Sequence, residues 1–149
     1  MNNHRCLFCG RKLNSDLEDS YHRHPFCIKK FFEVSAFPDT SLLESDLENL
    51  AVSELRNHLS ITGVQKKISC SVKRDKKTKR LFFDTNDSEF VIKTPDHGIP
   101  DITENEHFIM QLASDIGLKT VGSGLIKTKN NGYLYITKRI DRVGGKKLP

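Results

Sequence analysis

Two short pairs of metal-type ligands near the start restrict this chain more than any other feature. Cys6-Leu7-Phe8-Cys9 is followed, after fourteen residues, by His24-Pro25-Phe26-Cys27, giving C-x2-C and H-x2-C pairs. That spacing lets two tight turns bring four ligands into a tetrahedron, and a thiolate-rich tetrahedron selects Zn²⁺ over harder cations. The predicted ligands are Cys6, Cys9, His24 and Cys27. His22 is a rival to His24, which forms the more compact pair with Cys27. Gly10 allows the chain to turn so that backbone donors point at sulfur. A segment this small cannot build a sufficient apolar core, so metal binding would supply folding energy. With all four positions filled by protein the role is structural. Buried or redox-labile cysteines are the alternative reading. Cys70, alone in an alternating stretch, reads as sheet filler.

The chain has 149 residues, enough for one domain or for a small stapled module plus a larger one. At 36% hydrophobic and 29% charged residues it has the composition of a soluble globular protein, with no apolar run of membrane-spanning length. Met1-Asn2-Asn3-His4-Arg5 leads into the first cysteine pair without an apolar signal core, so the cytoplasm is the default compartment and structural disulfides are disfavoured. The net charge of +5 allows an anionic partner. The densest basic run, Lys73 to Arg80, reads as a solvated hairpin tip. No aromatics interleave its charges, which disfavours direct nucleic-acid binding.

Downstream of the ligand pairs, residues 33–40 read as a linker. Leu47, Leu50, Ala51 and Leu55 recur at helical spacing between Ser45 and His58, with acids early and bases late, which predicts a helix. Alternation then predicts strands over 67–73, 81–84 and 89–94, most economically an antiparallel meander. Thr103-Glu104-Asn105-Glu106 matches a capping box, opening a helix with Ile109, Leu112, Ala113 and Ile116 as its inner stripe and Gly117 as its stop. Strands over 121–127 and 133–140 follow, joined through Asn131-Gly132 as a hairpin. The fold class is α+β, and three strands, one helix and two strands is also the element order of a protein-kinase N-lobe.

Ser60-Ile61-Thr62-Gly63-Val64-Gln65-Lys66-Lys67 joins a helix to the first strand through one glycine flanked by hydroxyls and lysines. Alone this is a weak phosphate-loop signal. Lys93 adds to it, ending the strand Phe90-Val91-Ile92 just before a helix bearing Glu106. A strand lysine paired with a glutamate on the next helix is how protein kinases hold nucleotide phosphates. Considered singly, Lys93 could be a solvated strand end and Glu106 a capping acid. Their joint occurrence carries the signal.

The blocks at 60–67, 90–95 (Phe-Val-Ile-Lys-Thr-Pro), 105–108 (Asn-Glu-His-Phe) and 138–142 (Lys-Arg-Ile-Asp-Arg) together resemble the HipA family of serine/threonine kinases, toxins of toxin-antitoxin systems. The Cys/His knuckle resembles a variant N-terminus of some members. The resemblance implies a zinc knuckle over 1–32, a linker and helix over 33–59, and a kinase N-lobe over 60–149. It places Ile61, Thr62, Gly63, Val64, Gln65 and Lys67 in the phosphate loop and Lys93 on the ATP phosphates, with Glu106 as partner. Ser60 and Thr62 fall at phosphorylation positions, and added phosphate would repel the phosphates of ATP. The resemblance puts Lys138 and Ile140 in the hinge, offering backbone groups to adenine, and lets Asp141 reach the ribose. Lys138 and Ile140 stand where the family often has Glu and Phe.

The family's catalytic and Mg²⁺-binding aspartates belong to a helical C-lobe beyond residue 149. ATP and Mg²⁺ are thus cofactors of the complete kinase, and the expected partner is an antitoxin from the same operon. The alternative is a non-enzymatic zinc adaptor that binds an antitoxin, a kinase half or nucleic acid.

Overall fold

A computed structural model describes residues 4–13, 22–41, 65–86, 88–95, 98–129, 132–143 and 146–147. The predicted helix over 45–58 and the loop from Ser60 to Val64 lie outside the described residues. The elements in chain order are α1 (Pro25–Phe32), β1 (Lys67–Arg74), β2 (Leu81–Asp84), β3 (Phe90–Lys93), α2 (Ile102–Asp115), β4 (Ser123–Lys127), β5 (Tyr133–Lys138), β6 (Arg142–Val143) and β7 (Lys146–Lys147). The fold is α+β. Five strands form an antiparallel sheet in the order β2-β1-β3-β5-β4, and β6 pairs with β7 apart from it.

The expected meander is replaced by a split of β1 between two partners. Its second half, Ser71 to Arg74, pairs with β2, while its first half, Lys67 to Cys70, pairs with β3. Because β2 and β3 each have only four residues, the longer β1 lies between them and holds both. The basic run turns between β1 and β2, where the Asp75 carboxylate accepts backbone N–H bonds from Lys77 at 3.0 Å and Thr78 at 2.6 Å.

Side chains alternate across the sheet, so its two faces have different covers. One face carries Cys70, Phe90, Ile92, Ile126, Leu134 and Ile136, and it is sealed by residues from the start of the chain: Cys6, Phe8, Leu13, Ile28, Phe31 and Phe32. Helix α1 forms because Pro25 suits its first turn and Ile28, Phe31 and Phe32 fall on one buried face. Residues 33–40 are more than a linker. Phe37 packs edge-on against Phe8, Phe32 and Phe83, Pro38 is fully buried, and Asp39 N–H donates to the Leu81 carbonyl at 2.7 Å.

Helix α2 packs across β4 and β5. Its expected orientation is reversed. Ile109, Leu112 and Ile116 are 57%, 47% and 68% exposed, whereas Thr103 and His107 are buried. The capping box is absent because the helix begins at Ile102, with Asp101 at its N-cap, so Thr103 is already internal. The Thr103 hydroxyl instead shares its proton between the Glu104 carboxylate and the Tyr133 carbonyl, the latter at 3.0 Å, and Glu106 turns toward Lys93. Gly117 does end the helix: its φ is +86°, its N–H donates to Ser114, and Leu118 N–H donates to Ala113, a Schellman arrangement. The β4–β5 connection closes with Thr128 N–H on the Gly132 carbonyl at 2.9 Å, and Asn131 lies outside the described residues.

Candidate functional site

The ligand pairs converge. Cys6, Cys9, His24 and Cys27 present donor atoms that all lie within 4.8 Å of one another. In a zinc tetrahedron with Zn–S near 2.3 Å, neighbouring sulfurs stand about 3.8 Å apart. His24 Nδ1 lies 3.4 Å from Cys9 Sγ and 3.9 Å from Cys27 Sγ, so the four residues fit a tetrahedral ion. The other ring nitrogen of His24 lies 3.2 Å from the Lys12 carbonyl. Donation there leaves the Nδ1 lone pair facing the sulfurs, the usual support for a metal-bound imidazole. His22 is not in the cluster. Its carbonyl accepts the Leu7 N–H, and its ring stacks edge-on with His4 at 5.3 Å.

Local geometry explains the convergence. Gly10 takes φ +67°, and its N–H closes the first turn on the Cys6 carbonyl at 2.9 Å. Cys6 Sγ accepts backbone N–H bonds from Phe8 at 3.5 Å and His24 at 3.4 Å. Burial raises the Cys6 pKa, but these donors outweigh it and bring the net shift down. Cys9 and Cys27 are pushed up, first by burial, and for Cys27 next by the neighbouring Cys6 sulfur. Three crowded sulfurs resist ionising together unless a cation joins them. Cys70 stands apart, fully buried in the sheet, with its thiol pushed up to about 12 first by burial and then by Asp84 and Glu89.

On the opposite face, Lys93 ends β3 with Lys67 of β1 on one side and Tyr135 of β5 on the other. Its ammonium forms an ion pair with Glu106 of α2, both side chains being 29% exposed, and lies 5.5 Å from the Tyr135 ring centre. Two lysines directly opposite across a strand pair repel, and an anion near them relieves the repulsion. Just before β1, Gln65 Nε2 donates to the Thr94 carbonyl at 2.8 Å and Thr94 N–H donates to the Lys66 carbonyl at 3.0 Å. These bonds tie Gln65 and Lys66 to the end of β3.

The hinge-block residues sit further along. Lys138 pairs with Phe90, three residues from the Lys93–Tyr135 pair and thus about 10 Å away along the strand. Its side chain leaves by the α1 face and ion-pairs with Glu33 at 2.9 Å. Ile140 is 76% exposed. Asp141 is held by the Arg139 guanidinium, which also donates to Ser69 Oγ at 3.2 Å. The structure therefore brings Gln65, Lys67, Lys93 and Glu106 to one end of the sheet, and Lys138, Ile140 and Asp141 to the other end of β5.

Sequence reasoning missed the polar groups under the ion pair. His107 Nδ1 lies 3.3 Å from Ser123 Oγ. Burial pushes the His107 pKa down to about 4, and its Nε2 has no partner among the described residues. Only the helical position of His107 beside Glu106 could have suggested this, and the capping-box reading obscured it.

Comparison with protein families gives a match to the HipA-like C-terminal domain over residues 59–149. Comparison with curated proteins gives no match.

Proposed function

We propose, from the premise that the chain belongs to the HipA-like family, that it forms the ATP-gripping N-lobe of a HipA-type serine/threonine kinase, carrying a structural zinc ion. The observation that carries this reading is the Lys93–Glu106 ion pair between the third strand and the following helix. In protein kinases that pair positions the ATP phosphates. Lys93 would hold phosphate oxygens, Glu106 would hold Lys93 in place, and Lys67 would add positive charge beside them. The loop from Ile61 to Val64 would cover the phosphates, with Ser60 and Thr62 as phosphorylation positions whose modification repels ATP. Backbone groups of Lys138 and Ile140 would meet adenine, and Asp141 would have to leave Arg139 to reach the ribose. Transfer also needs a base and Mg²⁺ ligands from a helical lobe, and a toxin of this kind would be restrained by an antitoxin partner. Zinc on Cys6, Cys9, His24 and Cys27 would fix the two turns that carry these ligands.

A family-type catalytic lobe supplied in trans, with ATP and Mg²⁺, tests the kinase reading. Phosphoryl transfer that requires Lys93 is expected. A correctly folded pair with no transfer would sink it. The adaptor reading has one observation in its favour, the exposed apolar residues Phe108, Ile109 and Leu112 on α2 and Ile116 at its C-cap. An inactive pair in which the chain still bound a partner through that face would favour the adaptor.

A further inference from the structure

Helix α2 is fastened to the rest of the molecule by a row of polar anchors. Thr103 Oγ1 reaches the Tyr133 carbonyl of β5, His107 Nδ1 meets Ser123 Oγ of β4, and Gln111 Nε2 donates to the Phe8 carbonyl at 3.1 Å. These residues recur every four positions and so share one helix face. Directional bonds fix where a helix sits along a sheet more tightly than apolar packing does, and the large apolar residues of α2 face outward. The first two anchors run to the sheet. The third runs to the turn between the ligands Cys6 and Cys9.

That turn makes two further contacts. The Leu7 carbonyl accepts Leu125 N–H at 2.8 Å on the outer side of β4, so the knuckle takes up a backbone donor on that edge of the sheet. The Phe8 ring lies over Gly124, where an added Cβ would fall 2.4 Å from ring carbons. Leu7 and Phe8 are the two residues inside the C-x2-C pair, so the metal that fixes the pair also fixes the direction of their carbonyls. Glu106 stands five residues before Gln111, about 7.5 Å along the same rigid helix.

We infer that the metal-loaded turn is a positioning element for the Lys93–Glu106 pair, and that Gln111 is the positioning residue through which it acts. The metal clamps Leu7 and Phe8, Phe8 holds the second half of α2, and α2 presents Glu106 to Lys93. This rests on the proposed metal site and on the proposed role of the ion pair, and it adds a coupling between them. Occupancy of a site on one face would thus set the phosphate grip on the other.

The test uses the full chain loaded with Co²⁺, whose thiolate absorption reports occupancy. A limiting dose of an amine-acylating reagent, resolved by mass spectrometry, reads how well Glu106 protects Lys93. Lys76 at the exposed hairpin tip is the internal control. Gln111→Met keeps the side-chain length and removes the donor; Gly124→Ala pushes Phe8 away by a second route. Both should keep the cobalt spectrum while Lys93 labelling rises about fivefold, the size expected for losing one hydrogen bond, with Lys76 unchanged. Lys93 labelling equal to the parent in folded, cobalt-loaded Gln111→Met would overturn the coupling. A parent chain that takes up no cobalt would instead overturn the metal site itself.

Discussion

Lys93 and Glu106 are each partly exposed, so their ion pair contributes little to stability and its value lies in aiming one ammonium group. Lys93→Met should therefore leave the urea midpoint almost unchanged while lowering phosphoryl transfer by the reconstituted pair about 100-fold, the usual cost of losing one preorganised charge contact. Equal transfer by the variant would remove Lys93 from the site. His107 behaves in the opposite way. Its folded pKa, near 4, lies below its ordinary value of 6.5, so folding favours the neutral ring. Its contribution is fully present above pH 6.5 and is lost as pH falls toward 4, because the unfolded chain then binds the extra proton. Unfolding free energies at pH 7.5 and pH 5, compared between the parent and His107→Leu, should show a weaker acid loss in the variant.

Among the elements, α2 shows why a periodic pattern can point the wrong way. Ile109, Leu112, Ala113 and Ile116 are the most apolar set on the helix and so read as its inner stripe. The sheet face beneath α2 carries Lys93, Ser123 and Tyr135, and a face with polar groups is met by polar groups that can bond them. Leu112→Glu should accordingly change unfolding free energy by no more than about 0.5 kcal/mol, as expected of a surface site. Thr103→Val should cost about 1 kcal/mol by removing the hydroxyl shared by the Glu104 carboxylate and the Tyr133 carbonyl. Urea titrations of the two variants would expose an error if Leu112→Glu were the more damaging. The split of β1 has the same lesson: alternation locates strands, but choosing neighbours depends on strand lengths and contacts distant in sequence.

At the scale of the whole molecule, the ligand-bearing segment and the sheet share one core, with Phe8 packed on Phe31 and Phe32, which in turn pack against Phe83 and Phe90. Metal removal should therefore destabilise the sheet as well as the knuckle. On chelation, amide exchange should accelerate at Leu125 of β4 along with the first segment. Acceleration confined to residues 4–32 would show two independent units. Among the described residues no helix is long and apolar enough to cross a membrane. The sequence by itself determined the four metal-type ligands, the five strands of the main sheet to within two residues at each end though not β6 and β7, the stop at Gly117 and the Lys93–Glu106 partnership, because each follows from local spacing or from residue types with few alternative uses. Only the tertiary structure decided which face of α2 turns inward, which strands flank β1, and that Phe8 carries the knuckle's hold on Gln111. Those outcomes depend on surfaces far apart in the chain meeting in space, and no local pattern encodes which surface will be opposite.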